Sequence, residues 1–270
     1  MVHYNTNEKI SQVFHACARI FSPNFFIALQ PLDNFTLLFY NKIMENQVCI
    51  QPIGYIKTDF KEKFGIPRQS GRATALQAQI IFYPHYRNPD MLRGIENFSH
   101  LWLLFDFSAT RENGWSATVR PPRLGGNTRV GVWATRSPFR PNHIGLSCVQ
   151  FIRIEHTNEY GDTLLVSGAD LLDGTPIFDI KPYVPHADCL PQATGGYADE
   201  NATHSVQVVF PPALLEKIPK EKREGLLQCL ADDPIPAYQK QPERVYGMAF
   251  ADFQIKFTVS DGVLTVIDVQ

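Results

Sequence analysis

The amino-acid sequence predicts a mostly β fold, in which a barrel of antiparallel strands precedes a small C-terminal α+β domain. Short runs of β-branched and aromatic residues recur between residues 50 and 190, and Gly, Pro and Asn separate them. One short helical turn interrupts these runs, which argues against parallel βαβ repeats and favours a closed or sandwich-like antiparallel barrel. A hydrophobic content of 44% is typical of a globular protein with a core.

Six segments of the barrel domain carry the strand pattern. The predicted strands are Ile53–Thr58, Ala75–Phe82, His100–Phe107, Val130–Ala134, Ile144–Ile154 and Thr163–Ala169, with a helical turn at Asn88–Ile95. The C-terminal domain is predicted to contain helices Pro212–Glu216 and Glu221–Ala231, then strands Tyr246–Val259 and Val263–Val269. The dipeptide Asp261-Gly262 between the last two strands is a strong hairpin signal.

The chain is expected to divide into four parts: an N-terminal extension (1–43), a barrel domain (44–191), a polar linker (192–204) and the C-terminal domain (205–270). The extension is apolar in patches but broken by Pro23, Pro31 and Asp33, which is typical of neither a signal peptide nor a membrane span. We expect Met44 to be the natural start. An intact mass that matches all 270 residues would contradict this expectation.

Charge and cysteine usage narrow the class of protein. The net charge is −2, so any nucleic-acid contact must come from a local basic cluster. The five cysteines are scattered without a C-x-x-C pair, which favours a reducing, cytoplasmic location over a disulfide scaffold or a structural zinc site. A metal site built from His85, His100 and His143 is disfavoured because no two of these ligands stand at short spacing.

The run from Val119 to Ser147 is the most informative part of the chain. It lacks acidic residues, and glycines and prolines are interleaved with its arginines. The arginines are Arg120, Arg123, Arg129, Arg136 and Arg140. Proline fixes the backbone, glycine allows close approach and arginine offers a planar fork to carboxylate or phosphate. The run therefore predicts a rigid anion-binding surface; the alternative is a solvated basic loop.

Three further segments concentrate polar groups. Arg68–Gly71 forms a polar loop after the first strand, His100 and Asp106 bound an apolar strand, and Asp170–Tyr183 crowds carboxylates into a stiff, turn-forming segment. Each has a structural alternative: a surface loop, a hydrogen-bonded core histidine and a solvated hairpin. Dinucleotide, P-loop and nucleophile-elbow motifs are absent from the sequence. The residues alone thus predict an anion site beside a carboxylate-bearing turn, without specifying a reaction.

Four groups of segments, in order, carry a resemblance: Lys61–Gln69; Arg93–Trp102; Val119–Asn127 with Gly131–Asn142; and Asp173–Pro176 with Asp179–Tyr183. In these segments the chain resembles the TsaA/YaeB family of TrmO-like tRNA N6-methyltransferases. The resemblance implies a β-barrel methyltransferase domain unrelated to Rossmann enzymes, S-adenosyl-L-methionine as methyl donor, and a homodimer with sites near its interface. It also implies a tRNA substrate: N6-threonylcarbamoyladenosine at position 37, beside the anticodon, methylated on N6.

The resemblance also assigns site residues. Those matching cofactor contacts are Gln69, Ser70, Gly71, Ser108, Ala109, Arg136, Leu146, Asp173, Gly174, Thr175 and Pro176. Ser70 stands where the family pattern has proline, a change that backbone contacts would survive. The other arginines of the run, expected to meet RNA phosphates or the threonyl carboxylate, are Arg120, Arg123, Arg129 and Arg140.

Methyl transfer from a sulfonium is an in-line displacement, so the site must mainly align the reacting atoms and exclude water. Candidate acceptors for the N6 proton are Asp170, Asp173, Asp179 and His100, and Tyr183 or Trp102 could offer an aromatic face to the sulfonium. Two other classes stay open. One is a non-catalytic RNA-binding barrel, and the other is an enzyme acting on an anionic metabolite, with the C-terminal domain as a lid.

Overall fold

Strands dominate the part of the chain that the computed structural model describes, which is residues 48–270 without 125–126, 202–203, 237–240 and 242–243. The strands are β1 (Gly54–Lys57), β2 (Gln77–Phe82), β3 (His100–Asp106), β4 (Thr118–Val119), β5 (Val130–Gly131), β6 (Ile144–Thr157), β7 (Gly161–Ser167), β8 (Pro176–Pro182), β9 (Gln207–Val209), β10 (Tyr246–Phe250), β11 (Phe253–Ser260) and β12 (Val263–Val269). The α-helices are α1 (Pro185–Asp188), α2 (Pro212–Leu215) and α3 (Lys220–Ala231). The predominance of strands is thereby confirmed, while the proposed extension 1–43 and start at Met44 lie outside the described residues.

Six strands close on themselves in the antiparallel order β1-β2-β7-β6-β3-β8. Tyr55 on β1 closes the ring, because it pairs with Ile81 on β2 and with Pro176 on β8. Side chains alternate along each strand as the period of two requires. On β3, Leu101 and Leu103 are fully buried inside, whereas Trp102 is partly exposed outside.

Three connections leave this ring at the same end. Because every neighbouring pair is antiparallel, β1, β3 and β7 run in one direction. Their carboxyl ends therefore open into the β1–β2 loop (58–76), the β3–β6 segment (107–143) and the β7–β8 loop (168–175). The basic run and the carboxylate-bearing turn, far apart in sequence, thus meet at one end.

A second sheet, in the order β10-β11-β12-β9, forms the C-terminal part together with α3. The predicted hairpin turn is confirmed: Asp261 and Gly262 have φ values of 48° and 78°, the left-handed conformation of a tight hairpin turn. The core of this part includes Phe60 and Leu76 from the β1–β2 loop. The C-terminal strands thus share their core with that loop, and the boundaries 44–191, 192–204 and 205–270 stay predictions.

Two of the predicted strands need correction, and strand β8 was not predicted. The predicted strand Val130–Ala134 is wrong after its second residue, where a 3₁₀ helix (Val132–Ala134) begins. Tyr246–Val259 is two strands, split where Ala251 adopts a φ of 52°. The helical turn predicted at Asn88–Ile95 is confirmed as a 3₁₀ helix, Pro89–Leu92, and a second 3₁₀ helix, Ile95–Asn97, follows it. Strand β8 went unpredicted because prolines at both ends and polar residues within it suggested a turn segment.

Candidate functional site

The tip of the β1–β2 loop covers an edge of β6 that β7 leaves unpaired. Strand β7 ends at Ser167, opposite Gln150, so it does not reach Cys148. There the Cys148 N–H donates to Ser70 Oγ at 3.3 Å, and the Gly71 N–H donates to the Gly168 carbonyl at 2.8 Å. Gly71 has a φ of +79° and open space where a Cβ would stand, so bare backbone faces solvent at the loop tip.

Four predicted or neighbouring side chains form a network beside this tip. Arg136 Nη1 donates to Gln69 Oε1 at 2.7 Å, and Ser147 Oγ donates to Asp170 Oδ1 at 2.5 Å. The backbone of Ser70 also helps to lower the pKa of the Asp170 carboxyl. Burial raises the pKa of Asp170 above its ordinary value, while the Ser147 bond and the Arg136 charge offset part of the rise. A cation, a carboxylate and free backbone therefore line one small region.

The Asp173–Pro176 turn is attached to the start of the β1–β2 loop. Asp173 Oδ1 accepts the Thr58 N–H at 2.9 Å, and Lys61 Nζ lies 3.3 Å from its other oxygen. The Gly174 N–H donates to the Ile56 carbonyl at 2.9 Å. The Asp173 carboxylate thus holds the turn against the end of β1, whereas Asp170 belongs to the network around Ser70.

The remaining predicted cofactor residues border the same end of the ring. Ser108 and Ala109 are exposed at the start of a 3₁₀ helix, Ser108–Asn113, and Lys63 Nζ donates to the Ala109 carbonyl at 2.8 Å. Leu146 lies on the outward face of β6 and is 48% exposed. The β1–β2 loop is thereby linked to Ala109, Arg136, Asp170 and Asp173, while Leu146 stands on the outer face next to Ser147.

An aromatic pair lies on the outward side of β3. Trp102 and Tyr183 have ring centroids 5.8 Å apart, and Trp102 is the register partner of Cys148, which Ser70 binds. His100 stands two residues earlier, with its ring 6.2 Å from that of Tyr183. Trp102 therefore lies beside Cys148 on the outward face, with Tyr183 next to it, and His100 lies farther along the strand. The fourth acceptor candidate, Asp179, pairs with Lys181 at 3.0 Å on β8.

The arginines of the basic run differ in their surroundings. Strands β4 and β5 pair Val119 with Val130, so the exposed Arg120 and Arg129 lie side by side at the base of the loop between them. Arg140 is partly buried, and its Nη1 donates to the carbonyls of Thr135 and Ser137 at 3.0 and 3.1 Å. Arg140 therefore braces its own loop, whereas the side chain of Arg123 lies outside the described residues.

Sequence reasoning missed several residues that organise this region. Ser147 is a buried hydroxyl within a strand, a signal that points to a hydrogen-bonded role. Lys61 and Lys63 stand in a charged stretch that resembles an ordinary solvated loop. Among the described residues, no group of three or more His, Cys, Asp or Glu side chains is arranged to hold a metal ion. In that same part of the chain, no helix is long and apolar enough to cross a membrane.

A ring of antiparallel strands with a cation–carboxylate network at one end is a candidate small-ligand site on a mostly β scaffold. Comparison with known proteins gives the class. Residues 55–189 match the tRNA-methyltransferase O N-terminal domain, and residues 203–270 match the TrmO C-terminal domain. The chain belongs to this family, which confirms the resemblance.

Relatives and solved structures agree with the family match. A tRNA (adenine(37)-N6)-methyltransferase of Escherichia coli is 43% identical over 220 residues, covering 78% of this chain and 93% of that protein. A putative S-adenosylmethionine-dependent methyltransferase of Pseudomonas aeruginosa is 41% identical, covering 76% and 90%. A crystal structure of TrmO from P. aeruginosa superposes with a TM-score of 0.67 at 35% identity, covering 83% of this chain and 97% of that one.

Proposed function

We propose that this protein methylates tRNA on N6 of adenine 37, with S-adenosyl-L-methionine as methyl donor and N6-threonylcarbamoyladenosine as the base acted upon. The observation that supports it best is the network of Gln69, Ser70, Arg136 and Asp170, located where the family resemblance puts the cofactor. This chain also covers 93% of the length of the Escherichia coli tRNA (adenine(37)-N6)-methyltransferase. A non-catalytic RNA-binding barrel is not favoured by these relatives.

The residues fit the cofactor's chemistry. S-adenosyl-L-methionine carries a carboxylate, an ammonium and a sulfonium, and it supplies an electrophilic methyl group when bound. Arg136 is exposed and can pair with the carboxylate of the cofactor. Gly71 and Gly174 both have positive φ and open space at the Cβ position, so backbone can approach a ligand closely. Trp102 and Tyr183 could add an aromatic face for a cation.

Asp170 is our candidate acceptor for the proton that N6 loses. It lies in the network around Ser70, whereas Asp173 is engaged by Thr58 and Lys61, and Asp179 by Lys181. A raised pKa makes a carboxylate a stronger base. The bound cofactor would supply the methyl group and keep the electron pair of its sulfur–methyl bond, and the Asp170 carboxylate would accept the proton that N6 gives up.

The assignment of Asp170 separates catalysis from binding. Asp170→Asn is expected to lower kcat by about 100-fold or more, the usual contribution of a general base, with a smaller change in the Kd for the cofactor. Single-turnover kinetics and calorimetry give the two quantities. A kcat within twofold of the unaltered protein would contradict the role of Asp170, while leaving the methyltransferase activity standing.

Arg120 and Arg129 are proposed to meet tRNA phosphates, because both are exposed at the base of the β4–β5 loop, in the segment that leaves the ring at the same end as the candidate site. Arg140 keeps this role only through atoms other than Nη1, which the backbone occupies. Arg123 is proposed to act with them on the basis of the sequence pattern.

We also propose that the protein is a cytoplasmic homodimer. The two cofactor sites are proposed to lie near the interface between the subunits. The support for this arrangement is the exposed apolar surface beside the cofactor site, which includes Ile144 (37% exposed) and Leu146 (48%) on the outward face of β6. A second subunit covering this face would bury both side chains and enclose the site. Light scattering is expected to give twice the chain mass, and a monomer at micromolar concentration would contradict it.

The function is tested by incubating the protein with methyl-labelled cofactor and tRNA. Label is expected in tRNA that carries the threonylcarbamoyl group and not in unmodified tRNA. Binding of tRNA without cofactor binding or label would support the RNA-binding alternative instead. Label transfer to a small anionic metabolite, and none to tRNA, would support a metabolite enzyme.

A further inference from the structure

We infer that Asp232, in the C-terminal part of the chain, is a positioning residue for the cofactor loop: its carboxylate closes the base of the Gln69–Gly71 tip. This inference rests on the proposed cofactor role of that tip. It gives the C-terminal part a task in the reaction, which family membership alone does not specify.

The carboxylate binds the two residues that flank the tip. Asp232 Oδ2 accepts the Arg68 backbone N–H at 3.1 Å, and Asp232 Oδ1 accepts from Arg72 Nε at 2.7 Å. The tip, residues 69–71, stands between these two anchors. The side chain of Asp232 is 5% exposed, so both bonds form in surroundings where water competes little.

Placing this carboxylate at the end of a helix is unfavourable without a partner. Asp232 is the residue that follows α3, whose carbonyl end carries partial negative charge. A buried carboxylate there requires a compensating cation, which Arg72 supplies. The loop and the helix end therefore stabilise each other, and the charge pair is more than a surface contact.

A second set of bonds continues from the same place. Arg72 Nη2 donates to the His204 carbonyl at 2.7 Å, and Arg68 Nη2 donates to the Asp233 carbonyl at 3.2 Å. His204 Nε2 lies 2.7 Å from Asp233 Oδ2. The loop residues on both sides of the tip are thus hydrogen-bonded to two separate segments of the C-terminal part, one at His204 and one at Asp232 and Asp233.

On its other side the tip contacts the ring of strands, through Gly71 to Gly168 and Ser70 to Cys148. It is therefore held between Asp232 and the ring. A loop that is already ordered before the ligand arrives binds it more tightly, because less conformational entropy is lost on binding. Loss of the Asp232 anchor should accordingly weaken the cofactor complex, although Asp232 lies outside the Gln69–Gly71 tip.

The test compares Asp232→Asn with a matched variant of the same helix. Lys222, also on α3, binds both oxygens of Asp59 at 2.7 Å, at the opposite end of the β1–β2 loop. Lys222→Met removes this second ion pair between the same two segments without touching Arg68 or Arg72. Calorimetry gives the Kd for S-adenosyl-L-methionine, thermal unfolding gives Tm, and filter binding gives tRNA affinity without cofactor.

Asp232→Asn is expected to raise the Kd for the cofactor about tenfold or more, the size of a lost charge-assisted bond, with tRNA affinity unchanged. Lys222→Met is expected to lower Tm while keeping the Kd of the unaltered protein. An unchanged Kd in Asp232→Asn, or an equal rise in both variants at equal loss of Tm, would overturn the inference. If Asp232→Asn does not fold, Arg72→Lys takes its place, because a lysine cannot donate to Asp232 and to the His204 carbonyl at the same time as Arg72 does. The same rise in the Kd for the cofactor is expected, and the same outcomes would overturn the inference. Absence of cofactor binding by the unaltered protein would instead overturn the proposed function itself.

Discussion

Removing the guanidinium of Arg136 tests the proposed cofactor site at its exposed cation. Arg136 is exposed, and its Nη1 bonds to the exposed Gln69 at 2.7 Å, so Arg136→Ala should change the free energy of unfolding by less than about 0.5 kcal/mol. A hydrogen bond between charged groups contributes about 1.5–3 kcal/mol. If Arg136 binds the methionyl carboxylate, the Kd for S-adenosyl-L-methionine should rise about 10- to 150-fold.

Calorimetry at constant ionic strength measures this change. Arg153→Ala is the matched control, because Arg153 is an exposed arginine on β6, paired with Glu155 at 2.7 Å outside the Ser70 network. It alters the net charge equally, and its Kd should equal that of the unaltered protein. Arg136→Ala should also raise the pKa of Asp170 further, since the positive charge that opposes the rise is gone. A Kd for Arg136→Ala within twofold of the unaltered protein would refute the assignment.

Three further predictions concern stability and RNA binding. Gly225→Ala would place a Cβ 2.2 Å from Leu76 Cδ2, and the overpacking cost of about 1–3 kcal/mol outweighs the gain in helix propensity of about 1 kcal/mol. Urea unfolding should therefore show a lower free energy of unfolding, and a higher one would contradict the packing of Gly225 against Leu76. Asp170→Asn should raise Tm near neutral pH, because the raised pKa of Asp170 in the folded state means that ionisation of this carboxyl costs stability. This cost is absent below the pKa of about 3.9 in the unfolded chain and is fully present above the pKa of the folded state, so an equal gain in Tm at about pH 3 would contradict the prediction. Arg120→Ala should reduce the slope of log tRNA affinity against log salt by about 1 in filter binding, with cofactor Kd unchanged; an unaltered slope would argue against a phosphate contact.

Most barrel strands follow from local pattern, and the exceptions have physical causes. β3 and β6 alternate buried and exposed residues, so their period of two is visible in the sequence. The sequence of β8 does not show a strand pattern, because it contains the charged residues Asp179 and Lys181 and begins and ends with proline. Its strand character comes from pairing with β1 and β3, which are distant in sequence.

The candidate site likewise contains parts that follow from local sequence motifs and parts that depend on contacts between distant residues. The Gln69–Gly71 tip and the Asp173–Pro176 turn are short local motifs, so resemblance to a family locates them. The Ser147–Asp170 bond and the Asp232 anchor join residues from different elements, and Arg72 and Asp232 are 160 positions apart. No periodicity or spacing encodes such pairs; they follow from the antiparallel order of the strands and from the docking of α3.

The most direct test of the account is to identify where the methyl group lands. Purified protein is incubated with S-adenosyl-L-methionine and threonylcarbamoylated tRNA, and the tRNA is digested to nucleosides for mass spectrometry. One added methyl group on N6 of the threonylcarbamoyladenosine beside the anticodon is expected, with none in a parallel reaction on unmodified tRNA. A methyl group on any other nucleoside, or an unchanged digest, would contradict the central claim.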